Sequence, residues 1–308
     1  MEIALQFVLL ALGFVMLGKG ADWFVEGAAG IAMRFGIPQL VIGLTIVAMG
    51  TSAPEAAVSI AAAVKGNADI TIGNIVGSNI LNIFVILGLA ASIVPIAVAR
   101  STVRIEIPFM IGVTALLFYQ GRDGSISLAD GGVLMVAFAA YMMYLYTMAM
   151  KSNVDSDLEE PGLPLGRCLL GAVGGLALII AGSNVTVGAA TSIATYAGLS
   201  ERFIGLTIVA LGTSLPELFT SVAAARRGNA DIAIGNIVGS NIFNILFVVG
   251  LSSLIIDIPF ASAFNFDTYV ALGAAVLLWL CVLRTQRLQR WAGALMLVCY
   301  AAYLGYIL

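Results

Sequence analysis

The chain has 308 residues, is 61% hydrophobic and only 10% charged, and has a mean hydropathy of +1.06. Soluble domains carry about 25% charged residues, so this composition excludes a water-soluble protein and describes an integral membrane one. The net charge of −3 includes no basic run, which argues against a nucleic-acid partner, and the absence of histidine removes imidazole as ligand, proton shuttle or base.

Apolar segments of about 20 residues mark spanning helices, and ten are predicted. The first, 4–32, follows Met1-Glu2 without a positive leader and runs past a signal's apolar core, so it reads as a retained helix. Its acids, Asp22 and Glu26, are expected near the cytoplasmic surface, and no acid outside the two repeated motifs is expected as deep. The second, 38–64, contains "GTSAPE" at 50–55. The third, 69–94, continues through "GNIVGSNILNI". Asp69, and Asp231 in the matching turn, are expected as N-caps. Spans at 104–120 and 128–150 follow, then the polar stretch "KSNVDSDLEEPG", a linker by its acids and nearby prolines. The later spans are 166–194, 201–225 (with "GTSLPE"), 231–255, 267–284 and 290–307. Trp23, Trp279 and Trp291 fit interfacial belts. Cys168, Cys281 and Cys299 lie in apolar runs without metal-ligand spacing, as lipid-facing or packed residues.

Lysine and arginine set the orientation. With the N-terminus outside, the inner loops hold Arg34, Arg100, Arg104, Lys151, Arg167, Arg226, Arg227, Arg284, Arg287 and Arg290, and the outer loops only Lys65, Arg122 and Arg202. Both termini are therefore expected outside a cell membrane, with the acidic linker in the cytoplasm.

A shift of 162 residues lays 43–88 on 205–250 without a gap, matching at 32 of 46 positions. Such self-similarity marks internally repeated transporter folds. The expected organisation is a first five-helix repeat at 1–150, a linker at 151–165 and a second repeat at 166–308. An odd number of spans per half puts the second half in the membrane upside down. The fold class is thus all-α, with helices 2, 3, 7 and 8 interrupted around a midplane site.

The repeated segments carry the chemistry. Pro54 cannot donate to the helix, and Gly50 lets the backbone open, so carbonyls near Ala48 and Met49 are expected to lose their partners and face inward. Broken backbone at membrane depth is tolerated only where it lines a cavity or is buried in protein. Thr51 and Ser52 add hydroxyls and Glu55 a carboxylate; Ala210, Thr213, Ser214 and Glu217 repeat them. In the next span Ser78 and Asn82 share a helical face, as do Ser240 and Asn244. All these donors are oxygen, which suits hard cations such as Ca²⁺ and Na⁺. Hydroxyls and glycines in spans also serve helix packing, but a carboxylate at the bilayer centre costs at least ~2.5 kcal/mol. Two of them call for a function.

The paired "GTSAPE…GNIVGSNILN" and "GTSLPE…GNIVGSNIFN" segments resemble the alpha repeats of the sodium–calcium exchangers, within the calcium/cation antiporter superfamily. The short linker resembles the prokaryotic branch. The resemblance implies a midplane cluster in which Glu55 and Glu217 are the central calcium and sodium ligands. Thr51, Ser52, Ser78, Thr213, Ser214 and Ser240 would add oxygens, as would the carbonyls of Ala48 and Ala210, with Asn82 and Asn244 completing the ring. It also implies three sodium ions per calcium, and long first and sixth spans that slide to alternate access. Some relatives carry aspartate where this chain has Asn244, which favours a potassium-independent exchanger. No cofactor is expected, only the transported ions, the lipid bilayer as surroundings, and a monomer as sufficient.

The nearest rival is a calcium–proton antiporter using the same glutamates, whose motif tends to read Gly-Asn-x-x-Glu. A passive channel fits an inverted repeat less well than alternating access does. Without histidine, an intramembrane Ser–His enzyme is unavailable.

Overall fold

A computed structural model describes residues 2–152, 163–198 and 210–307. The helices are α1 (Glu2–Arg34), α2 (Gln39–Thr51), α3 (Ala53–Val64), α4 (69–93), α5 (102–120) and α6 (Leu128–Ser152) in the first half. In the second half they are α7 (Leu165–Tyr196), α8 (Ala210–Thr213), α9 (Leu215–Arg226), α10 (Ala230–Ile255), α11 (Ala263–Leu283) and α12 (Arg290–Ile307). Among the described residues eight helices are long and apolar enough to cross a membrane, and the bent pair α2/α3 makes a ninth. The start of the seventh predicted span falls in 199–209, and most of the predicted linker in 153–162, both outside the described residues.

Helices α4 and α10 form the centre and are the most buried spans, while α1, α6 and α12 leave most of their surface outside. That gradient follows from sequence: α10 is apolar or small on every side, as a helix buried all round must be. Two short antiparallel ribbons tie the halves together. In β1 (Ile96–Ala97) with β4 (Arg287–Leu288), Ile96 pairs Leu288; in β2 (Ser125–Ile126) with β3 (Ile258–Pro259), Ile126 pairs Ile258. Adding 162 to Ile96 gives Ile258, and to Ile126 gives Leu288, so each ribbon is the other with the halves exchanged.

Against these ribbons, α1 and α7 cross antiparallel with almost no side chain between them. A Cβ on Gly20 would lie 2.9 Å from the Gly175 oxygen, and one on Gly27 would lie 2.4 Å from the Ala172 nitrogen. Small residues allow this approach, and dispersion over the long contact holds it.

Several expectations change. Helices 3 and 8 are not interrupted at Gly77-Ser78 or Gly239-Ser240. They run on as α-helix and widen into π-turns at 82–87 and 244–249, starting at Asn82 and Asn244. A π-turn redirects side chains without breaking the ladder, and it recurs at functional sites. Asp231 is no cap: Asn229 holds the N-cap position, without a side-chain bond, and Asp231 sits in the first turn, where a negative charge favours the helix dipole. The Asp69 side chain is outside what is described, and Ala68 precedes that helix. Trp279 is half-buried and donates from Nε1 to the Val103 oxygen at 2.8 Å, whereas Trp23 and Trp291 are exposed. Glu106 is a third fully buried acid, near the start of α5, that the sequence did not single out.

Candidate ion-binding site

The two halves break a helix at the same motif. Ser52, at φ −82° and ψ 7°, separates α2 from α3; Ser214, at φ −89° and ψ 3°, separates α8 from α9. Pro54 and Pro216 in the next first turn lack the N–H that would continue the ladder. The axes of α2 and α3 differ by 51°. Each break places an acid, Glu55 or Glu217, in the first turn of the new helix, where the dipole favours negative charge.

Both acids are 1% exposed, and each is held by the opposite half. Ser52 Oγ donates to Glu217 Oε1 at 2.7 Å, and Ser214 Oγ donates to Glu55 Oε1 at 3.3 Å. The second oxygen of each, Glu55 Oε2 and Glu217 Oε2, is buried with no hydrogen-bond partner among the described residues.

Four asparagines lie between α4 and α10. Asn82 Nδ2 donates to Asn241 Oδ1 at 2.9 Å, and Asn244 Nδ2 donates to Asn79 Oδ1 at 3.1 Å. Asn79 and Asn241 in turn each donate to the other's backbone oxygen at 3.2 Å. The amide nitrogens are thereby fixed, and the oxygens of Asn82 and Asn244 are left buried and unpartnered. The α4 π-turn packs on α9 and the α10 π-turn on α3, so each π-turn abuts the helix carrying an acid.

The remaining predicted donors surround this core. Thr51 is fully buried and donates from Oγ1 to Asn236 Oδ1 at 2.9 Å. Ser78 is buried one turn before Asn82, and Thr213 is half-buried. Ser240 Oγ donates to the Ala48 oxygen at 3.3 Å, an approach possible because Gly239 has no side chain; a Cβ there would lie 2.8 Å from the Leu44 oxygen. The Ala48 carbonyl is not freed as expected. It accepts the Ser52 N–H at 3.0 Å and stays in the ladder; Pro54 withholds the usual i+4 donor from the Gly50 carbonyl, which instead accepts a backbone N–H at the end of α2. The surroundings of Ala210 lie outside the described residues.

Three pairs of positions were missed. Asn74 donates from Nδ2 to Ser59 Oγ at 2.9 Å and to the Glu55 backbone oxygen, and Asn236 does the same for Ser221 and Glu217. They pin the first turns that carry the acids. Their signal was available: all four residues are identical between the repeats. Asn79 and Asn241 carried the same signal.

A cavity of about 700 Å³ reaches the breaks from one side, lined by Pro54, Val58, Ser183, Val187, Gly212 and Thr213 among others. Buried carboxylate and amide oxygens on neighbouring helices, with hydroxyls bonded to the carboxylates, constitute a hard-cation donor set.

Known proteins are similar to this chain over most of its length. The sodium/calcium exchanger protein family profile matches residues 5–147 and 168–308. The chain is 33% identical to the sodium/calcium exchanger MaX1 of Methanosarcina acetivorans, over 98% of each chain. It is 40% identical to the inner membrane protein YrbG of Escherichia coli, over 80% of this chain and 79% of that one. A solved structure of the sodium–calcium exchanger NCX_Mj, soaked with Na⁺ and Sr²⁺, superposes with a TM-score of 0.86 at 34% identity, covering 98% of this chain and 99% of that one. The chain belongs to the sodium/calcium exchanger family, whose members are membrane ion exchangers and not enzymes.

Proposed function

We propose that the protein is a sodium/calcium antiporter working by alternating access, with Glu55 and Glu217 as the central ligands of both ions. One observation carries this reading: four buried oxygens, Glu55 Oε2, Glu217 Oε2, Asn82 Oδ1 and Asn244 Oδ1, have no partner among the described residues. Buried polar groups are costly to leave unsatisfied, and a cation would satisfy all four at once. In this reading Thr51, Ser52, Ser78, Thr213, Ser214 and Ser240, with the carbonyls of Ala48 and Ala210, would supply further oxygens.

The mechanism follows from charge. Two carboxylates give a pocket of −2 that one Ca²⁺ neutralises, or several Na⁺ ions spread over adjacent oxygens. Binding is therefore competitive. An empty pocket leaves unpaired carboxylates in a low-dielectric passage, so conformational change requires a filled one. Ten spans in two inverted five-helix halves would let one half's break face each side of the membrane in turn. The exchange of halves in the ribbons and in the serine–glutamate bonds supports that arrangement. With both termini outside, the present cavity opens outward, toward the Val64 and Tyr196 helix ends. Three sodium ions per calcium would move one net charge per cycle. The neutral Asn244 favours independence from potassium.

The test is calcium uptake into vesicles reconstituted with the full chain. A sodium gradient at fixed pH should drive uptake, and a pH gradient without sodium should not. The opposite result would assign proton coupling, and flux without any counter-ion would indicate a channel. Asn244→Asp should introduce a potassium or pH dependence; an unchanged response would remove that part of the reading.

A further inference from the structure

Among the described residues the only other fully buried acid is Glu106, in the π-helical opening of α5. Its Oε1 accepts the Tyr144 hydroxyl from α6. Its Oε2 is buried without a partner, as are Thr102 Oγ1 on the same turn and Tyr141 Oη on α6. No lysine or arginine pairs with it among the described residues.

A cavity of about 250 Å³ opens there, lined by Ile105, Glu106, Phe109, Ala140, Tyr141 and Tyr144. Phe109 stacks on Tyr141 with centroids 5.3 Å apart, and Tyr141 on Tyr144 at 6.5 Å, giving one aromatic wall. Ile105, 47% exposed, forms the outer lip, so the cavity opens on the lateral surface of the bundle. Glu106 lies four residues into α5 and Tyr144 eight residues before the end of α6. At 1.5 Å per residue that is roughly 6–12 Å below the helix ends, the depth of the headgroup–acyl boundary.

The repeat keeps only part of this site: Tyr141 and Tyr144 recur as Tyr303 and Tyr306, but the buried acid and Phe109 do not recur at their positions. The residue 162 positions on from Glu106 is Thr268, which satisfies itself by donating to the Phe264 oxygen at 2.7 Å, and Phe109 becomes Ala271. Asp267 nearby bonds Tyr303 but has no buried unpartnered oxygen.

A carboxylate that stays ionised in such walls needs a cation beside it. Three oxygens are too few for a bare hard metal ion, which takes six to eight. A primary ammonium has three N–H donors, gains from aromatic faces, and heads a group large enough to fill the space. We propose that this cavity binds a primary ammonium group, with Glu106 as counter-ion, Thr102 and Tyr141 as further acceptors, and the Phe109–Tyr141–Tyr144 rings as its wall.

The ammonium can come from a lipid headgroup or from a free amine, and native mass spectrometry of the purified full chain separates the two. Phosphatidylethanolamine should be retained about tenfold over phosphatidylcholine, whose quaternary nitrogen donates no hydrogen bond, and over phosphatidylglycerol. If the source is instead a free amine, ethanolamine should raise the Tm in phosphatidylglycerol alone while the lipids are held equally. Glu106→Gln should abolish whichever preference is found. Tyr141→Phe should weaken it several-fold, and it serves the same test if Glu106→Gln fails to fold. Without a ligand, removing that unpartnered hydroxyl would be neutral or stabilising. Equal retention of all three lipids together with no response to ethanolamine, or a preference untouched by both substitutions, would overturn the proposal.

Discussion

On one flank of the carboxylate pair the bundle is open, and on the other it is sealed, although the two flanks are built from matching sequence. The open flank is the cavity lined by Val58, Ser183, Val187 and Thr213. Their counterparts 162 positions away are Thr220, Ala21, Val25 and Thr51, all 0% exposed. Phe219 packs there on Phe14 with centroids 6.1 Å apart, and Arg227 bridges to Asp22 at 3.2 Å and Glu26 at 3.1 Å. The contrast teaches that one repeated frame holds two packings at once, which is what an alternating-access protein requires of its halves. It also singles out the side chains that differ between halves as those able to bias the balance.

The sharpest test of equivalence is at the acids. If both halves supply a central ligand, Glu55→Gln and Glu217→Gln should each reduce sodium-driven calcium uptake at least about 100-fold. Robust uptake by one would break the symmetry of the proposed pocket. The next effect lies where α1 crosses α7. Gly27→Leu would drive a side chain into the Ala172 backbone, an overpacking cost of about 1–3 kcal/mol or more, and should lower the Tm in detergent. Gly18→Leu, with nothing within 4 Å, should leave it unchanged.

These tests also mark how much was legible in the sequence. Glu55 and Glu217 stood out because a carboxylate in an apolar run is expensive wherever the run is placed. The ribbons and the asparagine exchange were implied by the repeat but not visible in it, since a shift of 162 says which residues are equivalent and not which touch. Glu106 was hidden by its position. A span predicted from 104 puts it in an interfacial turn beside Arg104, whereas the helix begins at 102 and its π-turn buries the acid. The π-turns at Asn82 and Asn244 leave no mark in composition at all, because they are a change of hydrogen-bond register. The seven-residue spacing of Gly13, Gly20 and Gly27 was readable, but only the fold shows that α7 is what it meets.

A smaller effect separates the two serines. Ser52 holds Glu217 at 2.7 Å while Ser214 holds Glu55 at 3.3 Å. Hydrogen bonds to charged groups contribute about 1.5–3 kcal/mol when well made. In chelator, Ser52→Ala should therefore lower the Tm more than Ser214→Ala. Saturating calcium should shrink the gap, because a cation taking over the carboxylate oxygens makes the lost donor matter less. A gap that calcium leaves intact would place the ion elsewhere.

The smallest expected effect bears most directly on the contrast between flanks. Arg227 corresponds to Lys65, and its partners Asp22 and Glu26 correspond to Asn184 and Gly188, so the ion pair can form only on the sealed flank. Arg227 and both acids are partly exposed, and such pairs contribute at most about 1 kcal/mol each. Releasing both should thus shift the balance of the two packings by no more than roughly 30-fold. In Arg227→Gln, thiol labelling of a reporter at Thr220→Cys should speed up and labelling at Val58→Cys should slow down. High salt should do the same to a chain with Arg227 intact, since screening weakens exposed charges. If neither rate moves, the ion pair only decorates a packing difference that α1, α7 and the apolar seal around Phe14 and Phe219 set on their own.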